Sequence, residues 1–304
     1  MAADTGKNNV FSASARGASY LILLQLFTRV LTFTFNQLVL RHTSPQVFGF
    51  ATIQLELLSS TILFLSREGF RIALQRQQQQ QQTQDLQTTV NLAYIPLVTG
   101  FFGAVGGCWV FWKRLGPDVR GLGGEGWTIV LVGWAVVVEL SCEVCFVVGL
   151  KMLMFRMRTV AEGTAVIARC LTTYGMTIWL LERGLLEQYG TVSFGVGQLA
   201  YATTLAGVYF VMMSKRVGLR NLVPRKVLRG KVDGHGGEYW LHGPTLRLAF
   251  SVTGQSLFKH VLTEGDKFVL ASLTTPYTQG LYAVVSNYGK HLLAHKIQLI
   301  FQDH

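Results

Sequence analysis

Five ionisable side chains lie inside stretches that are otherwise too apolar to hold them. Arg29 and Arg169 are the cations, and Glu56, Glu139 and Glu143 the anions. At the centre of a bilayer-spanning helix such a group costs about 2.5–3.5 kcal/mol on insertion scales, so it faces the bundle interior or a water-filled cavity. Their neighbours fit that placement. Gln25, Arg29, Thr32 and Asn36 are spaced to share one helical face. Thr52, Glu56 and Ser59 repeat the pattern, with Arg67 further along, and Glu139 and Glu143 stand one turn apart. Arg169 has Thr172, Thr173 and Met176 beside it. Two chemistries suit this set. One is a hydrophilic cavity that binds a polar or anionic headgroup through Arg29 and Arg169. The other is a pair of structural locks, Arg29 with Glu56 and Arg169 with Glu139 or Glu143. Polar contacts between membrane helices average only about 0.6 kcal/mol. Five charges with polar neighbours therefore exceed what packing needs, which favours the cavity.

The elements that would carry these groups follow from composition. Of 304 residues, half are hydrophobic and only 14% are charged, against about 25% charged in soluble domains. That excludes an ordinary soluble enzyme and predicts an all-α polytopic membrane protein. Apolar runs near the 20 residues needed to cross a bilayer fall at Gly17–Leu40, Val47–Leu65, Thr88–Trp112, Trp127–Leu150, Val160–Leu181 and Val192–Met213. Two weaker runs, Thr245–Leu262 and Phe268–Tyr288, bring the expectation to about eight spans. Residues 1–16 read as a polar tail, 17–213 as a six-helix lobe and 243–289 as the start of a second. Residues 75–87, around the tract Gln77–Gln82, read as a disordered loop.

Lys and Arg are biased to one set of alternate loops. Those holding Lys7 and Arg16, Arg67 to Arg76, Lys151 to Arg158 and Lys215 to Lys231 carry fifteen, against six for the other set, Lys267 included. The bias puts the N-terminus and the 214–242 connector in the cytosol. A basic connector beside a membrane suits anionic headgroups; no aromatic-basic module points to nucleic acid.

Other motifs fall away. Cys142 and Cys145 have redox spacing but sit in an apolar run without a βαβ context, and read as a buried packing pair. The seven His form no ligand pair on a helix, so no metal is expected. The glycine-rich stretch Gly121–Gly126 follows no strand and reads as a loop. Neither a catalytic constellation, a P-loop nor a cofactor motif stands out.

Three stretches carry a family resemblance: Asn36-Gln-Leu-Val-Leu-Arg41; Leu65-Ser-Arg-Glu-Gly-Phe-Arg71 continuing to Ala73 and Arg76; and Leu262-Thr-Glu-Gly-Asp-Lys267 with Gln279-Gly-Leu-Tyr282 and Ser286-Asn-Tyr-Gly289. Together, over roughly residues 14 to 289, they resemble the Rft family of endoplasmic-reticulum membrane proteins, within the multidrug/oligosaccharidyl-lipid/polysaccharide exporter superfamily. The resemblance implies two six-helix lobes around a central hydrophilic cavity. It also implies movement of dolichol-pyrophosphate-linked Man5GlcNAc2 from the cytosolic to the lumenal leaflet for N-glycosylation. It would place Arg29, Arg41, Arg67 and Arg71 near the pyrophosphate, where Arg can grip two oxygens at once, and Asn36, Gln37 and Glu56 near sugar hydroxyls. Glu264 and Asp266 come from the third stretch, and Asp266 also suits a helix N-cap. An accessory role in glycosylation, and an ion-coupled exporter using Glu56 or Glu139, stay open beside it.

Two departures stand out. Family members have Glu-Pro where this chain has Glu143-Val144, which predicts a missing kink. They also continue for several spans where this chain, after Gly289, ends in a divergent segment 290–304, which reads as a C-terminal truncation.

Overall fold

The structure is a computed structural model that describes residues 22–23, 26–80, 86–228, 238–241 and 243–286. The N-terminal tail and the segment 290–304 lie outside them. The protein is an all-α polytopic membrane bundle. Five helical stretches are long and apolar enough to cross a bilayer: Pro45–Arg76, Leu86–Arg114, Glu125–Lys151, Phe155–Glu182 and Val192–Arg216. A shorter apolar helix, α1 (Leu26–Leu40), precedes them.

After α1 the chain turns at Arg41 and His42. Ser44 caps α2 (Pro45–Gly49), its hydroxyl accepting from the Val47 amide, with Pro45 in the first turn where its missing N–H costs nothing. A six-residue π-turn, Phe50–Leu55, leads into α3 (Glu56–Gln80). Here the sequence expectation is corrected twice. The span does not end at Leu65, and the first four glutamines of the tract continue the helix; Gln is a good helix former, and polar composition alone does not end a helix. Residues 81–85 lie outside the description.

Next come α4 (Leu86–Ala93) and α5 (Ile95–Arg114), offset at Tyr94 just before Pro96, then the short α6 (Pro117–Arg120). The glycine-rich stretch is indeed a turn: Gly123 and Gly124 take left-handed φ values of 75° and 74°. The fourth span is α7 (Glu125–Ser141) and α8 (Glu143–Lys151). The helix breaks at Cys142 (φ −89°, ψ 3°) although no proline is present. The missing kink that Val144 implied is thus corrected: the Cys142 amide pairs with the carbonyls of Glu139 and Leu140 in a tightened last turn. The helices α9 (Phe155–Glu182), α10 (Leu186–Tyr189) and α11 (Val192–Arg216) complete this group of helices.

The described part of the connector is strapped to this group and does not hang free. Asn91 Nδ2 donates to the carbonyls of Arg225 and Trp240, and its Oδ1 accepts from the Arg225 amide. Gln87 donates to the Val223 carbonyl and Tyr94 to that of Leu222. A two-residue antiparallel pairing of β1 (Val227–Leu228) with β2 (Glu238–Tyr239) closes it.

The seventh and eighth runs also differ from expectation. The polar residues around Gly265 do not interrupt α12, which runs unbroken from Gly243 to Leu273. The chain turns at Thr274, and Pro276 opens α13 (276–286). Asp266 is therefore interior to α12 and caps nothing. The α12 helix lies antiparallel along α3, with Gly69 against Ala249 and Thr253 where their backbones meet most closely. Small residues at crossings are how membrane helices gain van der Waals contact.

A second close contact joins α2 to α13. A Cβ on Gly280 would run into the Pro45 carbonyl, and one on Gly49 into the Pro276 carbonyl and Gly280 backbone. Neither obstacle is a side chain that can swing away. Gly280→Val is expected to lower stability by about 1–3 kcal/mol, read as thermal unfolding in micelles. Gly106→Ala, where nothing lies within reach, is the neutral control.

Candidate functional site: a polar chamber

Parts of three of the polar faces read from the sequence line a common space; the Glu139–Glu143 face does not, and Gln25 lies outside the described residues. A cavity of about 410 Å³ lies among α1, α3, α9 and α11, and is completed by α12 and α13. The α1 face contributes Thr32 and Asn36, α3 Glu56 and Ser59, and α9 Arg169 and Thr173. The π-turn supplies Ala51, Thr52, Ile53 and Leu55, so the irregular stretch of helix is itself part of the wall.

The charges inside are arranged unequally. Lys267 Nζ, from α12, lies 2.9 Å from Glu56 Oε1 and 2.8 Å from Glu264 Oε2. The Tyr282 hydroxyl of α13 donates to Asp266 Oδ2 at 3.2 Å. Arg169 is half-buried on the chamber wall, and among the described residues it forms no ion pair. A guanidinium there has five donors to offer.

A second charged group forms away from the chamber, toward the connector. Arg67 Nη1 donates to Glu139 Oε1 at 2.7 Å. Arg71 grips Glu143 with both faces of its fork, Nε to Oε1 at 2.5 Å and Nη2 to Oε2 at 2.6 Å. Both carboxylates are buried. Each pair joins α3 to the α7–α8 span, and the matched spacing requires the two spans to run parallel. The Arg71 guanidinium also lies 3.9 Å from the centroid of Phe146.

These contacts correct the expected pairings. Glu56 is held by Lys267 and not by Arg29; Glu139 and Glu143 are held by Arg67 and Arg71 and not by Arg169. Because α3 stays helical past Leu65, its two arginines ride inside the bundle beside α7 and α8. They are not loop charges, and Lys267 likewise belongs to the chamber. Of the sequence-derived candidates, Asn36, Glu56 and Arg169 line the chamber, and Glu264 reaches it through Lys267. Arg29 and Arg41 are exposed beside it, and Gln37 is half-buried off its wall.

Sequence reading missed Gln198 on α11 and Ser286 on α13, both on the wall. It also missed Gln279, fully buried, which accepts from Gln54 Nε2 at 2.9 Å and donates to the carbonyls of Leu270 and Thr274. The available signal was its place at the head of the Gln279-Gly-Leu-Tyr282 stretch. Cys142 and Cys145 are free, buried thiols, and no group of His, Cys, Asp or Glu among the described residues could hold a metal.

The family model described as Rft protein matches residues 13–297. The chain belongs to the Rft family. The match runs past Gly289, where the recognisable stretches end. Curated relatives carry the name Man(5)GlcNAc(2)-PP-dolichol translocation protein RFT1. That of Yarrowia lipolytica is 31% identical over 94% of this chain and 46% of its own length. The Eremothecium gossypii protein is 32% identical over 92% and 54%, and the mouse protein 31% over 98% and 54%. The chain thus spans about half the length of the curated relatives it matches. No solved structure matches it.

Proposed function

We propose that this Rft chain serves in translocating a dolichol-pyrophosphate-linked oligosaccharide, the Man5GlcNAc2 lipid, across the endoplasmic-reticulum membrane, and that the chamber receives its polar headgroup. The observation that carries the reading is Arg169. Glu56, Asp266 and Lys267 on the chamber wall each have a hydrogen-bonding partner, whereas the Arg169 guanidinium forms no ion pair among the described residues and is available to a ligand. A phosphate would give it the two-oxygen grip that Arg favours. Asn36, Gln198 and Ser59 then offer hydrogen bonds to sugar hydroxyls around it. The volume falls in the usual range of ligand pockets, roughly 300–1,000 Å³, enough for the diphosphate and first sugars, with later sugars outside.

By the Lys and Arg bias, the connector and the Arg67–Glu139 and Arg71–Glu143 pairs face the cytosol, and the chamber lies nearer the lumenal leaflet. The exposed Lys215, Arg216, Arg220 and Arg225 would then lie at the cytosolic headgroups, beside the exposed Trp240.

The test is reconstitution of the protein in liposomes with a short-chain lipid-linked heptasaccharide, following its passage to the inner leaflet by loss of lectin access. Passage above protein-free liposomes is expected, and none for the same sugar on a lipid lacking the diphosphate. Equal rates with and without protein would reject translocation.

A further inference from the structure

We propose that Lys267 is the chamber's second phosphate contact, beside Arg169, and that Glu56 restrains it so that a polyprenyl diphosphate headgroup binds loosely enough to leave again. The proposal rests on the reading of the chamber just given and assigns Glu56 a part opposite to holding sugar hydroxyls.

Helix direction brings Lys267 and Glu56 together. The α12 helix runs antiparallel to α3: Ala249 meets Gly69, His260 lies 3.0 Å from the Thr61 hydroxyl and stacks on Phe64, and Lys267 reaches Glu56. The ammonium is held from two sides, by Glu56 across the helix contact and by Glu264 one turn back on its own helix. An ammonium has three donors. The two carboxylates occupy one each, and because Lys267 lines the chamber, a third remains for a ligand there. The Glu56 side chain is the more open, 48% exposed against 18% for Lys267, so an entering anion meets the carboxylate along with the cation.

Charge decides what such a wall does. Among the described residues lining the chamber, Arg169 and Lys267 stand against Glu56 and Asp266. The wall is balanced, whereas a site built to hold a diphosphate tightly carries an excess of cations. At about 410 Å³ the chamber is near the small end of ligand pockets, so a headgroup that fills it meets both cations. Arg169 grips one phosphate with its fork, and the compact ammonium of Lys267 meets the other as a point charge. Glu56, 2.9 Å from that ammonium, repels the same phosphate, with less screening than in bulk water. A carrier gains from the conflict, since its cargo must bind well enough to enter and weakly enough to leave, as ions do in channels. A lipid with a single phosphate satisfies Arg169 alone, so Lys267 is also what favours two phosphates over one.

The probes are geranylgeranyl diphosphate and geranylgeranyl monophosphate, titrated against the chain in phosphatidylcholine nanodiscs. Lys267→Gln is expected to weaken diphosphate binding about tenfold, the scale of one charge-assisted hydrogen bond, and to leave the monophosphate little changed. Equal loss of both probes, or of neither, would overturn the second contact. Glu56→Gln is expected to tighten diphosphate binding by about the same factor, a gain that a failure to fold cannot produce. Combining it with Lys267→Gln is expected to abolish the gain. Unchanged or weaker binding in Glu56→Gln, or a gain that persists without Lys267, would overturn the restraint. Inorganic pyrophosphate is expected to bind more weakly than the lipid; equal affinity would make the soluble anion the ligand and overturn the lipid assignment. Should the Lys267 and Glu56 variants bind like the unsubstituted chain while Arg169→Ala loses the heptasaccharide lipid, the chamber stands and this contact falls. If the unsubstituted chain binds neither probe, both readings fall.

Discussion

Arg169→Ala is expected to weaken binding of the lipid-linked heptasaccharide by about ten- to a hundredfold, the effect of losing one or two charge-assisted hydrogen bonds worth about 1.5–3 kcal/mol. The side chain lines the chamber and has no ion pair among the described residues to lose, so its removal should leave thermal stability nearly unchanged. Arg169→Lys keeps the charge but not the planar fork, and should fall between the two. Isothermal titration in micelles, with the dephosphorylated lipid as reference, reads the difference. Equal affinity for both lipids in the unsubstituted protein would mean that the diphosphate is not what Arg169 holds.

Glu143→Ala should do the opposite, unfolding the protein more readily and leaving the chamber wall intact. Glu143 is buried and takes both ends of the Arg71 fork. Removing one partner of a buried pair leaves the other uncompensated, which costs about 3–5 kcal/mol, whereas replacing both with apolar residues is often neutral. The double variant Arg71→Met with Glu143→Leu should accordingly recover most of the loss, and a double-mutant cycle on thermal unfolding measures the coupling. Arg67→Ala is expected to behave like Glu143→Ala, since it strands the buried Glu139. A rate defect without a stability defect in Arg67→Ala would show that the guanidinium meets ligand.

The sequence revealed the chamber better than its wiring. Arg29, Glu56 and Arg169 stood out because a charge in an apolar run has few places to go, and the face Thr32–Asn36 was legible from helical spacing alone. Which charge meets which was not. Pairing depends on where helices end and who their neighbours are, and neither Arg67 nor Arg71 lay in an apolar run. Their helix outlasts its apolar stretch because Gln, Arg and Ala sustain an α-helix as well as Leu does. Asp266 looked like a cap for the same reason: the polar cluster of Thr263 to Lys267 marks a boundary in hydropathy without marking one in the backbone. The break at Cys142 left no proline to find, and Gln279 gave no warning that it would be the partner of Gln54.

The two arginine–glutamate contacts between α3 and the α7–α8 span have equal rungs, four residues on each side. Equal rungs make the register exact. Sliding α3 by four residues, about 6 Å, would set Arg67 on Glu143 in one direction, or Arg71 on Glu139 in the other. Either shift would leave one buried carboxylate and one guanidinium without a counter-charge, so the two contacts together pin α3 lengthwise against its neighbour.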